Sequence, residues 1–174
     1  MVVKGVNMKK KTYVLMVSPM FEKPILEGKK IHTLRKNYKF WKKRIEAVNR
    51  GEAILSMRVW TGKPYHSKQR EFLALDKAGI ERVLLEHDGL TPDCPFTLYR
   101  SPNESYAEQL LPEEIAQNDG LSLEDFKVWF EKYLDGYMAC IHFTEFRYRE
   151  ISKCQRSDYA DGLLPRTEVF AGGE

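Results

Sequence analysis

Cysteine is scarce in this chain: three among 174 residues, Cys94, Cys140 and Cys154, with no close spacing between them. So small, odd and scattered a set supports neither a disulfide framework nor a zinc site. The four histidines, His32, His66, His87 and His142, are equally dispersed, so a site free of metal and cofactor is expected. Long apolar runs are also missing. None reaches the roughly 20 residues that span a bilayer, and Met1-Val2-Val3-Lys4 is too short in apolar residues for a secretory signal. A cytoplasmic protein without a membrane partner is the expectation. No phosphate-cradling glycine-rich loop and no locally supported Ser-His-Asp arrangement is present.

What the chain does have is enough length for one core but little for two. One domain over 1–150 is expected, followed by a loosely attached tail over 151–174 that ends in Ala171-Gly172-Gly173-Glu174. The net charge of +3 conceals an uneven distribution: Lys29 to Arg50 holds nine Lys or Arg against Glu46 alone, whereas Asn103 to Gly136 holds nine Asp or Glu against Lys127 and Lys132. A basic face of this kind draws in polyanions and loses them as salt rises. The alternative is a solvated helix: Trp41, Ile45 and Val48 have the spacing of a buried stripe, with Lys42, Lys43 and Arg44 on its wet side.

Periodicity predicts strands over Thr12–Val17, Ile31–Arg35, Ala53–Trp60 and Arg70–Asp76, a strand or alternatively a helix over Ile80–His87, a short helix from Ser18-Pro19 to Ile25, and a basic helix over Tyr38–Asn49. Asp88 to Asn103 reads as a long irregular loop. Ser105–Asn118 and Ser122–Tyr133 read as helices, the second opened by Ser122 with Asp125 three residues on. Its stripe of Phe126, Trp129, Phe130 and Tyr133 reads as core. The fold class is α+β, with a mixed sheet able to curl into a barrel.

Two segments carry candidate chemistry. Gly28-Lys29-Lys30-Ile31-His32-Thr33-Leu34-Arg35 puts a turn glycine, an amine, a hydroxyl and a guanidinium in one octet. Strand alternation sets Lys30, His32 and Leu34 against Ile31, Thr33 and Arg35, although a twist at the turn would let Lys30 and Thr33 converge. His32 itself reads as a strand surface residue. The arrangement suits an anionic or nucleoside-like ligand. The second segment, Lys63-Pro64-Tyr65-His66-Ser67-Lys68-Gln69-Arg70, joins two strands. There Tyr65 would stack a base while Lys63, Lys68 and Arg70 hold phosphates; a merely soluble hairpin is the alternative.

The octet has the form Gly-x-Lys-x-x-Thr-x-Arg and resembles the defining motif of the ASCH superfamily. A second element resembles that family too: Ile115 to Phe126, followed by Trp129-Phe130, with Met138 to Tyr148 as the closing strand. The resemblance implies a PUA-like mixed β-barrel with flanking helices and an RNA- or modified-nucleoside-binding role; Gly28 and Arg35 of the octet, with Lys63, Tyr65, Lys68 and Arg70 from the reading of the second segment, are the candidate ligand contacts. It also implies an alternative, a metal-free amidohydrolase deacylating N4-acetylcytidine-like nucleosides. Its catalytic groups map onto Lys30, Thr33 and Asp119, the last one methylene shorter than the family's glutamate. A third reading is a protein-interaction module whose opposite charged faces pair.

Overall fold

A computed structural model of the chain describes residues 10–87, 96–103, 106–133 and 136–148. The first strand, β1 (Lys11–Met16), leads through a 3-10 turn at Pro19–Phe21 into α1 (Glu22–Leu26). Gly28 then reverses the chain at φ +67°, a conformation open to glycine because it lacks a Cβ. The octet follows as β2 (His32–Lys36), and α2 (Tyr38–Asn49) starts where the Asn37 side chain accepts a hydrogen bond from Phe40 N. Trp41, Ile45, Ala47 and Val48 form its buried stripe, as the spacing predicts. Beyond it, β3 (Ala53–Trp60) and β4 (Gln69–Leu75) make a hairpin, and β5 (Gly79–His87) begins a run of antiparallel strands.

The next stretch departs from the sequence reading. Phe96–Asn103 is a strand, β6, rather than part of an irregular loop, because β5 offers it a backbone ladder. Tyr106–Leu110 is also a strand, β7, where a helix is predicted. The helix α3 (Pro112–Asn118) begins only at Pro112, whose fixed φ and missing N–H suit a first helical position and not an interior one. Next come α4 (Leu123–Phe130), with Ser122 capping Asp125 N as predicted, and β8 (Gly136–His142). The closing strand thus ends at His142. The tail over 151–174, with Cys154, lies outside the described residues, as does Cys94.

The strands form two open sheets, β1-β3-β4 and β2-β8-β5-β6-β7, with β1 and β3 parallel. Among the described residues no pairing joins them into a closed barrel. One apolar cluster lies between the sheets and under α2, built from Leu15, Leu55, Met57, Ile45, Ala139 and Ile141 among others. A second, holding Leu34, Val83, Met138, Cys140, Phe126 and Phe130, fills the other face of the larger sheet beneath α3 and α4. Among the described residues no helix is long and apolar enough to cross a membrane.

Candidate functional site: a buried lysine and its carboxylate

Strand register divides the octet between these two clusters. His32 pairs with His142 and Leu34 with Cys140, so their side chains lie on the face that carries the second cluster. Thr33 and Arg35, opposite Ile141 and Ala139, lie on the face toward the smaller sheet. Ahead of the strand, Lys29 N and Lys30 N both donate to Pro24 O, and Ile31 N donates to Asn118 O at 2.9 Å. Those bonds fix the turn between the end of α1 and the end of α3.

This brings Lys30 onto Asp119, the C-cap of α3, across 89 residues of sequence. Lys30 Nζ donates to Asp119 O at 2.5 Å and lies 2.8 Å from Asp119 Oδ1. Both residues are buried, at 1% and 3% exposure, and the amine sits 4.3 Å from the centroid of the Phe21 ring. Burial pushes the Lys30 amine below the usual lysine range, against the pull of Asp119, with Arg35 lowering it further. Gly120 makes the contact possible. It stands at φ +73°, and a Cβ there would lie 3.0 Å from Lys30 Cβ.

Behind the pair runs a polar network on the same sheet face. His32, far from being a surface residue, is fully buried, with Nδ1 3.4 Å from Asp119 Oδ1 and Nε2 2.7 Å from Tyr148 Oη. Asn118 Nδ2 donates to the same phenol oxygen at 3.1 Å, so the phenol proton is free to reach His32 Nε2, and the His32 proton belongs on Nδ1, facing Asp119. Burial lowers the His32 pKa and raises that of Tyr148 well above the ordinary tyrosine range. One strand over, His142 Nε2 meets Glu81 Oε2 at 2.7 Å, and Tyr148 N donates to that oxygen at 3.0 Å. Burial holds His142 at about 4. Cys140 Sγ lies 3.4 Å from His142 Nε2, but it is buried and its thiol is pushed well up, so it is no nucleophile. Among the described residues no group of three or more His, Cys, Asp and Glu is arranged to hold a metal ion.

Comparison of the chain with known protein families, curated proteins and solved structures finds no match.

The remaining sequence candidates are dispersed around this pair. Thr33 is buried on the inter-sheet face, and its hydroxyl makes no hydrogen bond among the described residues. Arg35 donates from Nη2 to Met16 O at 2.6 Å and is near enough to feel Asp119. Gly28 contributes the turn that starts the octet. In the β3–β4 hairpin Lys63 and Lys68 are exposed, and Tyr65, 88% exposed at φ +64°, leans on Trp60 with ring centroids 5.4 Å apart. Arg70 forms a two-pronged pair with Glu22 at 2.7 and 3.0 Å. That contact places the hairpin's base against α1, one residue from Phe21, rather than against Lys30. Sequence reasoning missed His142, Glu81, Asn118 and the role of Tyr148, because what joins them is cross-strand register and the return of the chain after β8.

Proposed function

We propose that this chain is an ASCH-type, PUA-like domain that binds RNA or a modified nucleoside at the Lys30–Asp119 pair, with the two open sheets as the halves of the barrel. The observation that carries this reading is a lysine amine and a carboxylate 2.8 Å apart, held almost entirely out of water. Burying such a pair is expensive and rarely adds stability, so its retention calls for a use. The donors and acceptors are incompletely spent. Lys30 has three N–H donors and commits at most two to Asp119; Arg35 has five and commits one to Met16 O. Asp119 Oδ1 has no well-directed hydrogen bond despite its ion pair. A cytosine-like ring fits that inventory, its amino group donating to Asp119 and its ring acceptors receiving from Lys30 and Arg35. Trp129, half-exposed, stands edge-on at 5.7 Å to the Phe21 ring that lies against the amine.

The test is calorimetric titration of cytidine, N4-acetylcytidine and adenosine into the wild type, Lys30→Met and Arg35→Gln. Saturable binding of the cytidines, lost in both variants while the melting transition persists, is expected. Absence of binding by the wild type refutes the proposal.

One observation favours the amidohydrolase as a second reading: the depressed Lys30 amine touches a carboxylate that faces His32. Neutral Lys30 would take a proton from water as the water oxygen bonds to the acyl carbon, Arg35 would steady the oxyanion, and Asp119 would relay that same proton from the Lys30 ammonium to the departing amino group as the C–N bond breaks, returning the lysine to its neutral form. Acetate and cytidine are the products, and chromatography of both after incubation with N4-acetylcytidine decides it. No turnover removes the enzyme and leaves the binding site.

A further inference from the structure

On the outer side of β1 and α2 lies a surface hollow of about 450 Å³, and neither Lys30 nor Asp119 lines it. Its walls carry Lys11, Lys39, Lys43 and Arg44 beside Tyr13 and Phe40. Among the described residues no carboxylate lies within ion-pair distance of these four cations; the nearby acids pair elsewhere, Glu46 with Lys42 and Glu52 with Arg50. The 12-residue helix α2 has no acidic residue in its first turn. Lys39 thus stands in the first turn of the helix with no acid beside it, where a positive charge is unfavourable unless an anion is present.

The aromatic component narrows the class of anion. The Arg44 guanidinium stacks 3.8 Å from the Phe40 centroid and 5.0 Å from that of Tyr13, and Lys11 Nζ lies 5.2 Å from Tyr13. Phe40 is 42% exposed although core space lies one residue away at Trp41. Cations that track a phosphate chain, set among planar faces on which bases stack, are the surface chemistry of single-stranded nucleic-acid binding.

We infer that the hollow between β1 and the first two turns of α2 is a second binding site, which takes the phosphodiester backbone of a single-stranded nucleic acid and stacks a base on Phe40. The choice of nucleic acid over another polyanion rests on the nucleoside reading of the Lys30 site; the cationic groove itself does not. β2 (His32–Lys36) connects the two sites, with Lys30 just before its start and Asn37, in the wall of the groove, just after its end.

Fluorescence anisotropy with a labelled single-stranded RNA oligonucleotide over a salt series tests this on the full chain, comparing wild type, Lys39→Glu/Lys43→Glu, Phe40→Ala and Lys30→Met. The residues changed in the groove are exposed, and an unchanged melting transition establishes that those variants are folded. The double charge reversal is expected to weaken oligonucleotide binding about tenfold or more and to flatten the salt dependence by about two phosphate contacts. Phe40→Ala is expected to weaken it several-fold at an unchanged salt slope, and cytidine binding should be untouched in both. Wild-type affinity in the double variant overturns the groove even if cytidine binds. Loss of RNA binding there, in a protein that binds no cytidine, upholds the groove and refutes the Lys30 reading. A polyglutamate peptide that displaces the RNA as well as unlabelled RNA does reassigns the groove to an acidic protein partner and overturns the inference.

Discussion

Protonating His142 would place a second ring N–H where no acceptor waits: Nε2 already faces Glu81 Oε2 at 2.7 Å, and Nδ1 is buried without a partner. Burial therefore lowers the His142 pKa from 6.5 to about 4 despite Glu81, and the neighbouring His32 ring, 5.5 Å away, lowers it further if it charges. Between those two values the unfolded chain binds a proton that the native state refuses, so stability falls as the pH drops through this window. At 1.36 kcal/mol per unit, the full difference amounts to about 3 kcal/mol, of which about 2 kcal/mol is gone by pH 5. Carboxylates contribute at the acid end, so the discriminating comparison is with His142→Gln, which keeps an amide N–H for Glu81 and has nothing to titrate. Urea melts of both proteins near pH 7.5 and again near pH 5 give the change in unfolding free energy over the window. The wild type should lose about 2 kcal/mol more than the variant. Equal losses in the two proteins would show that His142 is charged in the native state or open to solvent, and would refute the reasoning.

The Lys30–Asp119 pair should behave as a unit. Asp119→Asn strands a buried ammonium and is expected to destabilise by about 3–5 kcal/mol in denaturant melts, whereas Lys30→Met/Asp119→Leu, which removes both charges, should recover most of that loss; a double variant as unstable as the single one would contradict the burial argument. Gly120→Ala forces a Cβ to 3.0 Å from Lys30 Cβ at φ +73°. It should lower stability by about 1–3 kcal/mol and weaken nucleoside binding, because Lys30 must shift; an alanine variant that melts and binds like wild type would show that the turn has room to spare.

The helix over Tyr38–Asn49 and the strand over Ala53–Trp60 were legible to the residue, because each has strong periodicity and a clear terminator in Asn49-Arg50-Gly51 or Thr61-Gly62. The strands β6 and β7 were not. A segment with Pro, Asn and Ser becomes a strand there because a neighbour supplies its hydrogen bonds, and the Glu-rich stretch before Pro112 satisfies helix propensity while its pairing partner lies elsewhere in the chain. Within the site, the octet and the position of Asp119 at a helix end could be read locally. Two further facts required tertiary geometry: that His32 is interior rather than exposed, and that Glu81, His142 and Tyr148 back it. His32 and His142 are neighbours only because β2 and β8 pair in one register, and no spacing in the sequence encodes that.

That register has a consequence for biogenesis. β8 is the last described strand in the sequence, yet it lies in the sheet interior with β2 on one side and β5 on the other. Until it emerges from the ribosome, both neighbours present bare backbone edges, and the larger sheet exists only as two unjoined pieces. Fragments ending short of Gly136 are therefore expected to cross-pair with one another and precipitate, and a nascent chain needs shielding at those edges for most of its synthesis.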